Sequence, residues 1–106
     1  IHISDLAKGH VCALERLFTG SGYEAFNLGT GKGCSVLELV RMFEESTGIK
    51  IPVKLSPRRP GDVSVCYADT SLAEKVLGWK AEESLEDMCR SSLSYAAQEL
   101  RKTDQN

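Results

Sequence analysis

The sequence predicts an α/β chain of about four helices and a few short strands, folded as one domain over residues 1–106. Three observations carry this. Apolar residues recur at steps of three and four in several segments, short β-prone runs lie between them, and glycine, proline and capping serines mark the borders. A chain of this length holds one small core and no more.

Ile1–Ile3 is a β-prone run, and Ser4 ahead of Asp5 is expected to cap a first helix. Leu6, Ala7, His10, Val11, Leu14, Leu17 and Phe18 then trace one apolar face, the expected core face, up to a stop near Gly20–Gly22. Tyr23–Leu28 reads as a strand, with a tight turn through Gly29, Gly31 and Gly33. Ser35 with Glu38 forms a capping box for a second helix that Gly48 ends. Residues 51–55 read as a short strand closed by Pro57, and Val63, Val65 and Tyr67 as an extended stretch. Asp69 is expected to cap a short helix ended by Gly78, which frees Trp79 to plug the core. Ser84 with Asp87 caps the last helix, with Leu85, Met88, Cys89, Leu93, Ala96 and Leu100 on one face and fraying expected from Arg101.

Composition narrows the function. Hydrophobic residues at 42% and charged residues at 26% are those of an ordinary globular protein. A net charge of −2 argues against a nucleic-acid or anionic-membrane surface, and no apolar run is long enough to span a bilayer. Cys12, Cys34, Cys66 and Cys89 form no C-x-x-C pair and read as free thiols in the cytoplasm. The start on Ile1, inside a strand-like run, reads as a piece of something longer.

Two motifs invite chemistry. The Gly29-x-Gly31-x-Gly33 run lies between a strand and a helix as phosphate-binding turns do, yet Cys34 falls where a dinucleotide fingerprint has its third glycine, so close packing explains it as well. The loop Ser56–Asp62 sets Arg58 and Arg59 between prolines, with Gly61 and Asp62 after them. Proline pre-restricts the backbone, so the guanidiniums can meet a phosphate or diphosphate with little ordering entropy while Asp62 accepts from sugar hydroxyls. A solvated charged turn is the other reading. His2 and His10 have no partnered nucleophile, Asp5 reads as a helix N-terminal acid, and Cys66 and Cys89 as small buried side chains. No tyrosine has a lysine four residues on.

Taken in order, Ile1-His2-Ile3-x-Asp5-Leu6-Ala7-x-Gly9-His10, Phe26-Asn27-Leu28-Gly29-x-Gly31, Pro57-Arg58-Arg59-Pro60-Gly61-Asp62 and Tyr67-Ala68-Asp69 with Leu77-Gly78-Trp79 resemble the C-terminal part of UDP-glucose (UDP-galactose) 4-epimerases, members of the extended short-chain dehydrogenase/reductase family. The resemblance implies the substrate-domain portion of an NAD-binding, Rossmann-type isomerase of galactose metabolism. Its NAD site and catalytic residues would belong to an N-terminal half absent from these residues. The site it implies here is substrate-binding: Arg59 on the diphosphate, Asp62 on the ribose, Gly61 at the turn and Cys66 lining the sugar pocket. The implied ligands are UDP-glucose and UDP-galactose, with UDP-N-acetylhexosamines admitted if the small Cys66 leaves room. No nucleic acid, membrane or metal is expected, and a homodimer is left open. The chain alone is expected to be inactive, to bind UDP-sugar weakly, and to self-associate through bare apolar surface. The rival readings are a non-catalytic nucleotide-sugar binding module and a related nucleotide-sugar dehydratase or epimerase.

Overall fold

The computed structural model describes residues 1–105. They form α1 (Ile3–Leu17), α2 (Val36–Thr47), a π turn (Ala73–Leu77) and α3 (Leu85–Asp104), so the expected helical segments are all present. No strand occurs among the described residues. A strand exists only through a ladder to a neighbour, and residues 23–28, 51–55 and 63–67 find none within the described chain.

The chain divides into two compact units, Ile1–Gly33 with Gly61–Glu83, and Cys34–Pro60 with the segment from Ser84 onward. In the first unit α1 begins two residues earlier than expected. Ser4 is already helical, and the cap is His2, whose Nδ1 accepts the Ser4 N–H at 3.0 Å from an extended residue. The larger departure is the helix's orientation. Asp5 and Gly9 are its buried residues, whereas Leu14 (59% exposed), Leu17 (69%) and Phe18 (89%) of the expected core face point to solvent. The inward side is narrow because a glycine makes it so. A Cβ at Gly9 would stand 2.5 Å from Leu28 Cδ1 and 3.3 Å from Trp79 Nε1, so the side chains of Leu28 and Trp79 close directly on the helix backbone.

Trp79 fills that place as expected, and its indole N–H donates to the Asp5 carbonyl at 2.9 Å. The Asp5 carboxylate is wholly buried, and its Oδ2 accepts the backbone N–H groups of Glu82 (3.1 Å) and Glu83 (2.9 Å). One side chain in the first turn of α1 thus holds a segment almost eighty positions away. The expected short helix before Trp79 closes as a π turn. Both Gly78 N–H and Trp79 N–H reach back to the Ala73 carbonyl, with Gly78 left-handed at φ 64°, and this widened turn delivers Trp79 inward.

In the second unit α2 packs on α3 and buries Cys89, with Val40, Phe43, Met88 and Leu93 half-buried. Both helices start on complete capping boxes, Ser35 with Glu38 and Ser84 with Asp87, and Gly48 ends α2 at φ 73°. Ala96 and Leu100 are exposed, so the buried face of α3 is shorter than its apolar pattern. The helix nevertheless continues past Arg101 to Asp104, where Lys102 pairs with Glu99 at 2.8 Å and Thr103 donates to the Glu99 carbonyl at 3.1 Å. No helix among the described residues is long and apolar enough to cross a membrane.

Candidate functional site

The loop singled out by its charges turns at Pro60–Gly61, where Gly61 takes φ 87°, a conformation that a side chain would strain. Arg58, Arg59 and Asp62 are exposed, and both Arg59 and Asp62 are engaged by neighbours. The chain passes from one compact unit to the other within this loop: Arg59 belongs to the second unit, and Gly61, Asp62 and Cys66 belong to the first. The Arg58 and Arg59 guanidiniums can donate paired hydrogen bonds to phosphate oxygens, and a carboxylate such as that of Asp62 can accept from hydroxyls.

Cys66 is exposed with a free thiol, which corrects the expectation of a buried apolar side chain. It sits in an irregular stretch with no partner strand, so nothing in the first unit draws it inward. Cys89 is buried as expected, and desolvation, with a smaller contribution from Cys34, pushes its thiol upward from the usual value. His10 is exposed, and its Nδ1 lies 2.8 Å from the Leu6 carbonyl, so it is neither a core residue nor a base with a nucleophile.

The glycine turn is taken up by packing. A Cβ on Gly29 would meet Ala68 Cβ at 3.1 Å, and one on Gly33 would meet the Tyr67 ring at 3.4 Å, while Gly31 adopts φ 77° beside Thr70. Glycine here lets the turn lie against residues 67–70. No group of His, Cys, Asp and Glu among the described residues is placed to hold a metal ion.

Residues 67–70 lead into features that lie outside the two motifs. Asn27, Asp69, Ser71, Leu72 and Lys75 line an open hollow of about 360 Å³. The Asp69 carboxylate accepts from the Ser71 hydroxyl and the Ser71 N–H, and these bonds hold its pKa below the usual carboxylate value. The Asp-x-Ser spacing was the available signal, since such a carboxylate folds back on the amide two residues on. A second cavity of about 320 Å³ opens along α1 between Leu14, Leu17 and Phe26. At its edge the Arg16 guanidinium forks onto Glu24, with both bonds at 3.1 Å, raising the Arg16 pKa and lowering that of Glu24.

Comparison with known proteins shows which proteins this chain is similar to. The family model described as GDP-mannose 4,6 dehydratase matches residues 4–92. A UDP-glucose 4-epimerase from Cyamopsis tetragonoloba is 54% identical over 99 residues, covering 92% of this chain and 28% of its own length. A bifunctional UDP-glucose 4-epimerase and UDP-xylose 4-epimerase from Pisum sativum is 55% identical over 98 residues, again with 28% of its length covered. The chain therefore spans little more than a quarter of these relatives, in their C-terminal part. Among solved structures, a UDP-glucose 4-epimerase from Stenotrophomonas maltophila with bound NAD and formylated UDP-arabinopyranose matches at TM-score 0.93 and 46% identity, over 96% of this chain and 30% of that one. The Bifidobacterium longum enzyme in complex with NAD+ and UDP matches at TM-score 0.80 and 48% identity, over 92% and 29%.

Proposed function

The chain belongs to the nucleotide-sugar enzyme family whose model is described as GDP-mannose 4,6 dehydratase, and from that premise we propose that it supplies the UDP-sugar side of an NAD-dependent UDP-glucose/UDP-galactose 4-epimerase. The observation that carries the choice of epimerase is that the curated relatives, plant and bacterial alike, bear that activity in their names at 50–55% identity.

In this reading Arg59 donates a paired set of hydrogen bonds to the diphosphate. Asp62 accepts from the ribose hydroxyls, and Gly61 turns the backbone so that both functions serve one ligand. Cys66 borders the hexose, and its small side chain leaves space for an N-acetyl group, so UDP-N-acetylhexosamines are proposed as further substrates. NAD is proposed as cofactor because the neighbouring structures hold it. None of its binding, and no catalytic residue, is assigned to these residues. Galactose metabolism in the cytoplasm follows as the setting.

The test grafts residues 1–106 in place of the matched part of the Bifidobacterium longum enzyme. The graft is expected to interconvert UDP-galactose and UDP-glucose with NAD, and the 106-residue chain alone to be inert. A folded graft that binds NAD and converts neither sugar would refute the epimerase reading, and one that dehydrates its substrate would favour the dehydratase branch.

A further inference from the structure

The loop that carries Arg59 also carries a serine with no role in ligand binding. From residue 50 to residue 60 the chain holds Lys50, Lys54, Arg58 and Arg59 and no acid, although the whole protein has a net charge of −2. Ser56 stands inside that basic stretch and is the only serine or threonine followed by proline. Residues 52–67 are exposed, and residues 51–59 are neither helix nor strand. Pro57 confines Ser56 to extended backbone and offers no N–H of its own. Other serines are taken up by the fold: Ser35 and Ser84 cap helices, and the Ser46 and Ser71 hydroxyls donate to the Met42 carbonyl and the Asp69 carboxylate. An exposed, extended serine with proline next and arginine three positions on suits the peptide groove of a proline-directed protein kinase. The groove takes an extended segment, the proline fits where no N–H has to be satisfied, and Arg59 meets acidic side chains of the kinase.

We propose that Ser56 is a phosphorylation site and that its phosphate weakens diphosphate binding at Arg59. The Ser56 hydroxyl attacks the γ-phosphorus of ATP: an O–P bond forms at Ser56 Oγ, the bond to the β-phosphate breaks, ADP leaves, and the hydroxyl proton passes to the base of the kinase. The product adds about −1.5 to −2 charges and three acceptor oxygens. Ser56 and Arg59 belong to the same compact unit. Three residues of extended chain span at most about 10 Å, a distance that the two long side chains close between them. The phosphoserine then takes the guanidinium fork that a diphosphate would use, and its charge repels the incoming diphosphate. The switch rests on the reading of Arg59 as the diphosphate ligand, not on which sugar the diphosphate carries.

The experiment has two arms. In the first, the 106-residue chain is incubated with ATP and a proline-directed kinase, and the phosphate is located by mass spectrometry. Ser56 is expected to carry it, and Ser56→Ala and Pro57→Ala to lose it. In the second, phosphoserine is placed at position 56 of the Bifidobacterium graft during synthesis and UDP is titrated by calorimetry. The phosphate is expected to weaken UDP binding roughly tenfold or more, with NAD affinity unchanged as the sign of an intact fold, and Ser56→Ala to bind UDP as the unmodified graft does. In a graft that also carries Arg59→Ala, the phosphate is expected to change UDP affinity by less than about threefold. A chain modified elsewhere and not at Ser56 overturns the proposal. So does a phosphorylated graft that binds UDP undiminished while Arg59→Ala weakens it, or a phosphate effect of the same size with and without Arg59. Unchanged UDP affinity in Arg59→Ala alone sinks the diphosphate reading and the switch built on it, while the kinase arm still decides Ser56 as a modification site.

Discussion

Replacing Asp5 with alanine tests the packing of the first unit at the side chain that ties α1 to residues 82–83. The carboxylate accepts two backbone N–H groups, from Glu82 and Glu83, and is wholly buried. A hydrogen bond to a charged acceptor contributes about 1.5–3 kcal/mol, and an amide left without a partner at a half-buried site costs a similar amount. Asp5 also sits in the first turn of α1, where an acid gains roughly 0.3–1 kcal/mol from the helix dipole. Alanine returns about 0.5 kcal/mol through its better helix propensity. The net expectation is a loss of about 3–5 kcal/mol. Asp5→Asn keeps one acceptor oxygen but gives up the charge and buries an amide where Oδ1 already lacks a partner, so about half the loss is expected. Trp79, the only tryptophan, reports the change by fluorescence during urea unfolding, because its indole bonds to the Asp5 carbonyl. Hydrogen exchange at the amides of Glu82 and Glu83 localises it. A loss below about 1 kcal/mol for Asp5→Ala, with both amides still protected, would refute the reasoning.

Other expectations follow from single contacts. Because the Asp69 pKa is lowered by its bonds to Ser71, the capped turn is stabilised above the ordinary carboxylate pKa and loses that contribution as pH falls through the lowered value. An NMR titration should place the Asp69 midpoint below that of a model peptide, and Ser71→Ala should raise it. Exposed Cys34 and Cys66 should react with a disulfide reagent well before buried Cys89, whose thiolate is disfavoured by desolvation. Ser35→Ala removes half of a complete capping box and should lower helix stability by about 1 kcal/mol, read by circular dichroism in urea. In the graft, Cys66→Tyr should depress turnover of UDP-N-acetylgalactosamine relative to UDP-galactose, and undiminished relative turnover would remove Cys66 as the size gate.

The helices were legible because their signals are local. Capping boxes at Ser35 and Ser84 and left-handed glycines at 48 and 78 depend on residues a few positions apart, and each stands where the pattern put it. The side on which α1 packs was not legible. Its apolar periodicity marks what the helix can bury, whereas the neighbours it packs on, the π turn with Leu28 and Trp79, close on the side that carries Asp5 and Gly9. The strands failed for a related reason, since β-propensity at residues 23–28 or 51–55 describes a segment ready to pair and is silent on its partner. In sequence Asp5 reads as a dipole-matched acid, and its tie to Glu82 and Glu83 joins positions that no local pattern connects. At the candidate site the charged loop Arg58–Asp62 and its turn at Gly61 are legible in residue chemistry, whereas the choice of Arg59 for the diphosphate and Asp62 for the ribose comes from the family resemblance.

The central claim, that this chain meets the diphosphate of a UDP-sugar through Arg59, is tested most directly by calorimetric titration of UDP into the Bifidobacterium graft with and without Arg59→Ala. Losing a charge-assisted hydrogen bond worth about 1.5–3 kcal/mol should weaken UDP binding by roughly 10- to 150-fold. NAD affinity should stay unchanged. Equal UDP affinity in the two proteins would contradict the account.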